Sequence, residues 1–162
     1  MAETNSGNTL NISTPTTIAA TVAAPSVRKG PDKGGFYWGL GRRKSSVARV
    51  RIKPGDGKLL INKKELTDYF VRKQDQNSVV APLSAIDGGL KSFDIFINVN
   101  GGGTSGQAGA CMLGVARSLK NYDENLLGML REGGYLTRDS RMVERKKPGQ
   151  SGARKRYQFS KR

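Results

Sequence analysis

The sequence of 162 residues contains 28 lysines and arginines against 13 aspartates and glutamates, a net charge of +15. It has no histidine and a single cysteine, Cys111, which excludes an internal disulfide, a histidine-bearing zinc site and a Ser-His-Asp triad. The charge favours a polyanionic partner, because lysines and arginines that neutralise phosphates release condensed counterions; the alternative role of such charge is to keep a protein dissolved.

Residues 1–35 form the first segment and are dominated by Ser, Thr, Asn, Ala and Gly. Such a stretch buries too little apolar surface to offset its ordering entropy, so we predict a disordered extension. No basic residue precedes Arg28, which argues against a secretory or mitochondrial signal, whereas a Ser/Thr-rich chloroplast transit peptide stays open. No apolar run reaches 18 residues, so nothing is expected to span a bilayer. Contact with an anionic membrane surface stays open in principle, but no membrane is expected among the partners.

Two further segments differ in charge. Residues 36–130 are predicted to form one globular domain, with 14 basic and 8 acidic residues. Residues 131–162 have 11 basic and 3 acidic residues, a net charge of +8, and are predicted to form a basic, extended tail. One fifth of the chain therefore carries more than half of the net charge.

The strands of the domain are predicted from alternation. Residues 46–53 place Ala48, Val50 and Ile52 on one face and three cations on the other. The turn signal at 54–57 predicts a hairpin to a second strand at 58–62. Alternating apolar residues at 93–99 predict a third, longer strand.

Helices are predicted after the glycines at 101–103. Ala108, Met112, Val115 and Leu119 recur at helical spacing, and residues 126–130 continue as a second helical segment. Cys111 falls within the first helix and is expected to be a small buried residue. Helices and strands therefore mix in one small α+β domain.

The glycine turn has a superficial enzymatic interpretation. Gly101, Gly103 and Gly106 match a dinucleotide-binding fingerprint, with Asp123 near the position of a ribose-binding acid. The surroundings of Asp123 are polar and contain no strand, so no cofactor is expected. We instead expect a tight turn whose backbone closely approaches protein or phosphate.

Two basic segments favour RNA. The first is a stripe of cations, interpreted as a phosphate-contact surface rather than a solvated strand face: Arg42, Arg43, Lys44, Arg49, Arg51 and Lys53. The second is the C-terminal end, whose cations suit phosphates while its aromatics suit stacking on bases. Its residues are Arg154, Lys155, Arg156, Tyr157, Phe159, Lys161 and Arg162. Because disordered solubilising ends rarely carry aromatics, we favour an arm that becomes ordered on RNA.

Residues 39–162 resemble a known family, the ninth protein of the small ribosomal subunit in its bacterial form. Several ordered motifs carry the resemblance: GRRK at 41–44, VARV at 47–50, GGGTSGQAGA at 101–110, GVARSL at 114–119, LTRD at 136–139, ERKK at 144–147 and QFSKR at 158–162. The resemblance departs at Cys111-Met112-Leu113, where many relatives have a more basic stretch. RNA contact through that turn of the helix is therefore in doubt.

The resemblance implies a structural, non-enzymatic protein of the ribosome, located in the bacterial cytoplasm, with a plastid version left open. The implied fold is a small mixed four-stranded sheet packed with helices, of the ribosomal protein domain 2-like type. The implied partners are ribosomal RNA of the subunit head, neighbouring head proteins and peptidyl-site tRNA. Neither a cofactor, a metal nor a small-molecule substrate is implied.

The resemblance also assigns residues by position. Lys161 and Arg162 would contact the tRNA. The expected contacts to ribosomal RNA, in addition to the C-terminal residues above, are Arg42, Arg43, Lys44, Arg49, Arg51, Gly101, Gly102, Gly103, Arg117, Arg138, Arg145, Lys146 and Lys147.

Overall fold

The computed structural model describes residues 30–86 and 88–161, so most of the predicted disordered extension and Arg162 lie outside the described residues. The strands are β1 (Tyr37–Arg43), β2 (Ser46–Pro54), β3 (Leu59–Ile61), β4 (Lys64–Glu65) and β5 (Phe93–Asn100). The helices are α1 (Leu66–Tyr69), α2 (Lys73–Ser84), α3 (Gly89–Ser92), α4 (Thr104–Tyr122) and α5 (Leu127–Glu132), with a 3-10 turn at Glu124–Leu126.

The strands form one mixed sheet in the order β1-β2-β5-β3-β4. Strands β3 and β5 are parallel, and the other neighbours are antiparallel. The α+β class and the mixed sheet are confirmed. The sheet has five strands rather than four, and the additional strand β4 is only two residues long.

The predicted hairpin at 54–57 is wrong. Strand β5 lies between β2 and β3, so the two strands flanking that turn are not neighbours. The turn is instead held by Asp94 of β5, whose Oδ1 accepts the backbone N–H groups of Asp56 and Lys58, each at 3.1 Å. The actual hairpin joins β1 to β2 through Lys44 and Ser45, with Lys44 in the left-handed region at φ 50°.

The core lies on one face of the sheet. The alternation predicted for β2 is confirmed, because Ala48, Val50 and Ile52 are fully buried there. Helix α4 covers this face, and α2, which the sequence did not predict, adds Val79 and Leu83 to the same core. Cys111 of α4 is also buried, as expected, and burial raises the pKa of its thiol to about 12.

Helix α4 packs against the backbone of β1 without side chains between them. A Cβ added at Gly41 would lie 2.5 Å from the backbone nitrogen of Gly114 and closer still to the carbonyl oxygen of Ala110. At Gly39 it would lie 2.6 Å from the backbone nitrogen of Ser118. The glycines of β1 are therefore required by the close approach of the helix.

The same helix covers the free edge of β1. Arg117 donates from Nη1 to the carbonyl oxygen of Leu40 at 2.7 Å, and Asn121 donates from Nδ2 to that of Trp38 at 2.7 Å. These residues are four apart and so share one face of α4. An edge strand normally presents unpaired backbone groups to other chains, and here two of them are satisfied internally.

We predict that Gly41→Ala lowers the free energy of unfolding by about 1–3 kcal/mol, because the added Cβ overpacks the contact between β1 and α4. Gly128→Ala is the matched control, since a Cβ there meets nothing within 4 Å inside α5. Gly128→Ala should raise the free energy of unfolding by about 0.4–1 kcal/mol, because alanine lowers the conformational entropy of the unfolded chain. Urea unfolding measures both, and a Gly41→Ala protein as stable as wild type would contradict the close packing.

Candidate nucleic-acid interface

Three separate segments meet at one end of the sheet, which we call the basic end: the β1–β2 turn (42–45), the glycine turn (101–103) and residues 138–141. Val47 pairs with Asn100 at this end, and the Ser46 hydroxyl donates to the carbonyl oxygen of Gly101 at 3.0 Å. Residues 138–141 are attached through Arg43, whose Nη2 lies 3.0 Å from Oδ2 of Asp139. The fold therefore gathers cations from distant parts of the sequence.

The glycine turn leads directly from β5 into α4. Gly101 and Gly102 have φ values of 73° and 66°, and a Cβ at Gly102 would collide with the hydroxyl of Ser46. The predicted tight turn is confirmed, and its close approach is to protein. Gly103 caps α4 in an extended conformation without a side-chain capping bond, and all three glycines are exposed.

Asp139 organises the basic end. Its Oδ1 accepts the backbone N–H and Nε of Arg141, both at 3.0 Å, while Oδ2 contacts the guanidinium groups of Arg43 and Arg141. The hydrogen bonds from the Arg141 side chain and backbone, with the nearby Arg43 charge, hold the pKa of Asp139 well below its usual range. The carboxylate thus ties the start of the tail to β1.

A cleft of about 320 Å³ opens at the basic end, between β1, α4 and the start of the tail. It is bordered by Arg42, Arg43, Arg138 and Arg141, while Met112 contributes to its apolar part. Arg141 was not among the predicted contacts, because nothing in the linear sequence shows that its partner Asp139 faces β1. The departure at Met112 thus adds an apolar surface at the basic end.

The predicted stripe of six cations is divided by the fold. The side chain of Arg43 lies over Gly109 on the α4 side, whereas Arg49 and Arg51 lie on the opposite face of the sheet. Lys53 is paired with Asp94 at 3.6 Å, so acids from other elements interrupt the stripe. The members with no ion pair to a described residue are Arg42, Lys44, Arg49 and Arg51.

Two of the arginines predicted to contact ribosomal RNA also have partners within the protein. The Arg51 guanidinium lies over the rings of Phe36 and Phe96, at 5.3 and 5.2 Å from their centroids. Arg117 is engaged with the carbonyl oxygen of Leu40 at the edge of β1. Both arginines are fixed in position by these contacts and remain partly exposed.

The tail contains no helix or strand between Glu132 and residue 161. Glu144 accepts both Nε and Nη2 of Arg154, which closes a loop. This pairing lowers the pKa of Glu144. The two aromatic side chains predicted to contact RNA are exposed to solvent, Tyr157 to 66% and Phe159 to 89%. The remaining predicted cations of the described tail are exposed: Arg145, Lys146, Lys147, Lys155, Arg156 and Lys161.

Within the residues that the structure describes, no helix is long and apolar enough to cross a membrane. The same residues contain no group of three or more acidic or cysteine side chains placed to hold a metal ion. Asp123, considered above as a ribose-binding acid, accepts the backbone N–H of Asn125 at 2.9 Å and caps the following turn.

The sequence matches known proteins over most of its length. The sequence pattern of the family described as "Ribosomal protein S9/S16" matches residues 41–162. The chain is also similar to the small ribosomal subunit protein uS9 of Rhodopirellula baltica. The two are 56% identical over 124 residues, which cover 76% of this chain and 90% of that protein.

We predict that Asp139→Asn releases the start of the tail from β1. Hydrogen exchange of the Arg141 amide, measured at pH 7, should become on the order of tenfold faster, because the charge-assisted bonds to the carboxylate are lost. Asp56→Asn is the control, since that exposed carboxylate has no bond to a described residue and its loss should leave the exchange unchanged.

The effect also has a defined pH dependence. A carboxyl group with a depressed pKa contributes stability above its unfolded pKa of about 3.9, and the contribution is lost as the pH falls through the folded value. The pKa of Asp139 is depressed, so the difference between wild type and Asp139→Asn should persist at pH 5 and disappear only in strong acid. Equal exchange of the two proteins at pH 7 would contradict the anchoring role.

Proposed function

Because the chain belongs to the ribosomal protein S9/S16 family, we propose that it binds ribosomal RNA in the head of the small subunit and contacts peptidyl-site tRNA through its tail. Membership makes it a structural protein of the ribosome and not an enzyme. The observation that carries the proposal is the array of exposed cations between residues 145 and 161, in which only Arg154 has an acidic partner among the described residues.

Contact with ribosomal RNA is proposed first at the basic end. Arg42, Lys44 and Arg138 are exposed there and have no ion pair within the described chain. Arg43 and Arg141 are already positioned by Asp139, so they keep their orientation when an anion approaches. Planar guanidinium groups hold phosphates in two-bond geometry, which suits the four arginines around the cleft.

The glycine turn supports a second phosphate contact. Gly101, Gly102 and Gly103 bring exposed backbone to the beginning of α4, a helix of 19 residues. The first N–H groups of a helix have no intrahelical partner, and the helix dipole favours negative charge at that end. An RNA phosphate is the proposed occupant, since the neighbouring β1–β2 turn supplies Lys44.

The tail is proposed to thread through RNA and reach the tRNA. Arg145, Lys146 and Lys147 lie within the loop closed by Glu144 and Arg154, and the chain after the loop runs on without secondary structure as far as residue 161. Residues 156–162, fully extended, span roughly 24 Å, so the last two cations can act at a distance from the globular domain. Neighbouring head proteins are proposed as further partners of the surfaces that RNA leaves free.

Salt dependence of RNA binding tests the role of the tail charges. We predict that replacing the five cations Arg154, Lys155, Arg156, Lys161 and Arg162 by glutamine flattens the dependence of log K on log salt. On single-stranded RNA the change is up to about 0.7 per lost phosphate contact. Filter binding or fluorescence anisotropy at several salt concentrations measures the slope.

The matched control keeps the charges and removes the rings. Tyr157→Ala combined with Phe159→Ala should weaken binding at each salt concentration without altering the slope, because stacking involves no counterion release. A slope that is unchanged after removal of the five cations would show that the tail makes no phosphate contacts.

Replacement of Lys161 and Arg162 by alanine tests the proposed tRNA contact. The tagged wild-type protein and the double variant should both sediment with small subunits, while subunits that contain the variant should release peptidyl-site tRNA faster. Lys64→Ala is the control, because that exposed cation lies on β4 at the opposite edge of the sheet from β1.

Two results would contradict the proposal at different levels. A wild-type protein found only in the free fractions would contradict subunit membership. A double variant that fails to join subunits would show that the two terminal residues serve assembly rather than tRNA retention.

A further inference from the structure

The face of the sheet opposite α4, which we call the open face, carries an exposed aromatic and aliphatic surface. Alternation in β1 directs Gly39 and Gly41 towards α4 and places Trp38, Leu40 and Arg42 on the open face. Trp38 is 47% and Leu40 39% exposed, and both lie just before residue 41, where the matched family region begins. Trp38 is the only tryptophan of the chain.

Strand pairing places arginines next to this surface. Trp38 pairs with Arg51 across β1 and β2, and Leu40 pairs with Arg49. Arg42 lies two residues beyond Leu40, roughly 7 Å further along the strand and next to the basic end. The open face therefore continues the cationic surface of the basic end along β1 and β2.

Side chains of this surface make defined contacts with their neighbours. The Nε1 of Trp38 donates a long hydrogen bond of 3.4 Å to Oδ2 of Asp32. The guanidinium of Arg51 lies over both Phe36 and Phe96, and these two rings are in edge contact at 6.1 Å. Such contacts hold an arginine in place without neutralising its charge.

The charge on this face selects the kind of partner. From β2 and its neighbours it presents Arg42, Arg49, Arg51 and Lys53. Two acids oppose these four cations: the exposed Asp32 beside Trp38, and Asp94, which is nearly buried and held by Lys53 and two backbone N–H groups. An anionic partner matches this surplus. Exposed tryptophan stacks on any base and is worth about 1–3 kcal/mol per base, provided that the base is unpaired.

We propose that the open face binds an unpaired segment of RNA, with one base stacked on Trp38 and the adjoining phosphates at Arg49 and Arg42. The proposal rests on the proposed function, in which RNA is the partner, and adds a site that is separate from the tail. The basic end and the open face then bind one continuous strand, since Arg42 belongs to both.

Emission from the single tryptophan reports directly on this site in the full-length protein. Addition of a short oligoadenylate should quench Trp38 and protect it from acrylamide. An RNA duplex without unpaired bases should produce little change. The variant in which the five tail cations are replaced by glutamine should keep the oligoadenylate response, which separates the open face from the tail.

Binding of labelled oligoadenylate to variants measures the contribution of stacking. Trp38→Ala should weaken binding roughly 5- to 100-fold, whereas Trp38→Phe, which retains a ring, should stay close to wild type. Arg49→Gln tests the site without disturbing the core, because Arg49 is exposed, and should reduce the salt slope by about 0.7.

Several outcomes would overturn the proposal while leaving the proposed function intact. One is saturation with oligoadenylate while Trp38 emission and acrylamide quenching stay unchanged. Another is loss of all oligoadenylate binding in the tail variant, which would assign RNA to the tail alone. Equal quenching by polyglutamate would indicate charge without stacking, and a change in emission with protein concentration alone would assign the face to a second copy of the chain.

Discussion

The rest of the structure depends on the backbone-to-backbone contact between α4 and β1. Gly41 and Gly114 let the helix lie directly on the strand, and a side chain at Gly41 would displace it. Because the helix is held this closely, Arg117 and Asn121 reach the free edge of β1. The same placement brings the glycine turn beside the β1–β2 turn and leaves Trp38 on the uncovered side of the sheet.

A second constraint is the positioning of four cations by three acids. Asp139 holds Arg43 and Arg141, Asp94 contacts Lys53, and Glu144 holds Arg154. Each acid acts where the chain must turn or where separate segments meet. In a protein of net charge +15 these contacts orient part of the basic surface, while the exposed cations without such partners remain available to phosphates.

The sequence predicted the elements whose pattern comes from burial. Strands β2 and β5 and helix α4 were predictable, because the spacing of their apolar residues follows which side chains face the core. Strand β1 was not, because Gly39 and Gly41 are explained only by the helix that lies over them. The misplaced hairpin has a similar cause: the bonds from Asp56 and Lys58 to Asp94 are invisible until β5 is known to lie beside β2. Arg141 and Trp38 were missed because their roles depend on distant segments.

The central claim is that RNA lies along the basic end, the open face and the tail. Crosslinking of lysines to RNA in small subunits that contain this protein tests it most directly. The account predicts crosslinks from Lys44, Lys155 and Lys161 and few from Lys64 and Lys91, which lie on β4 and α3. Crosslinks concentrated at Lys64 and Lys91, with none at Lys44, would contradict it.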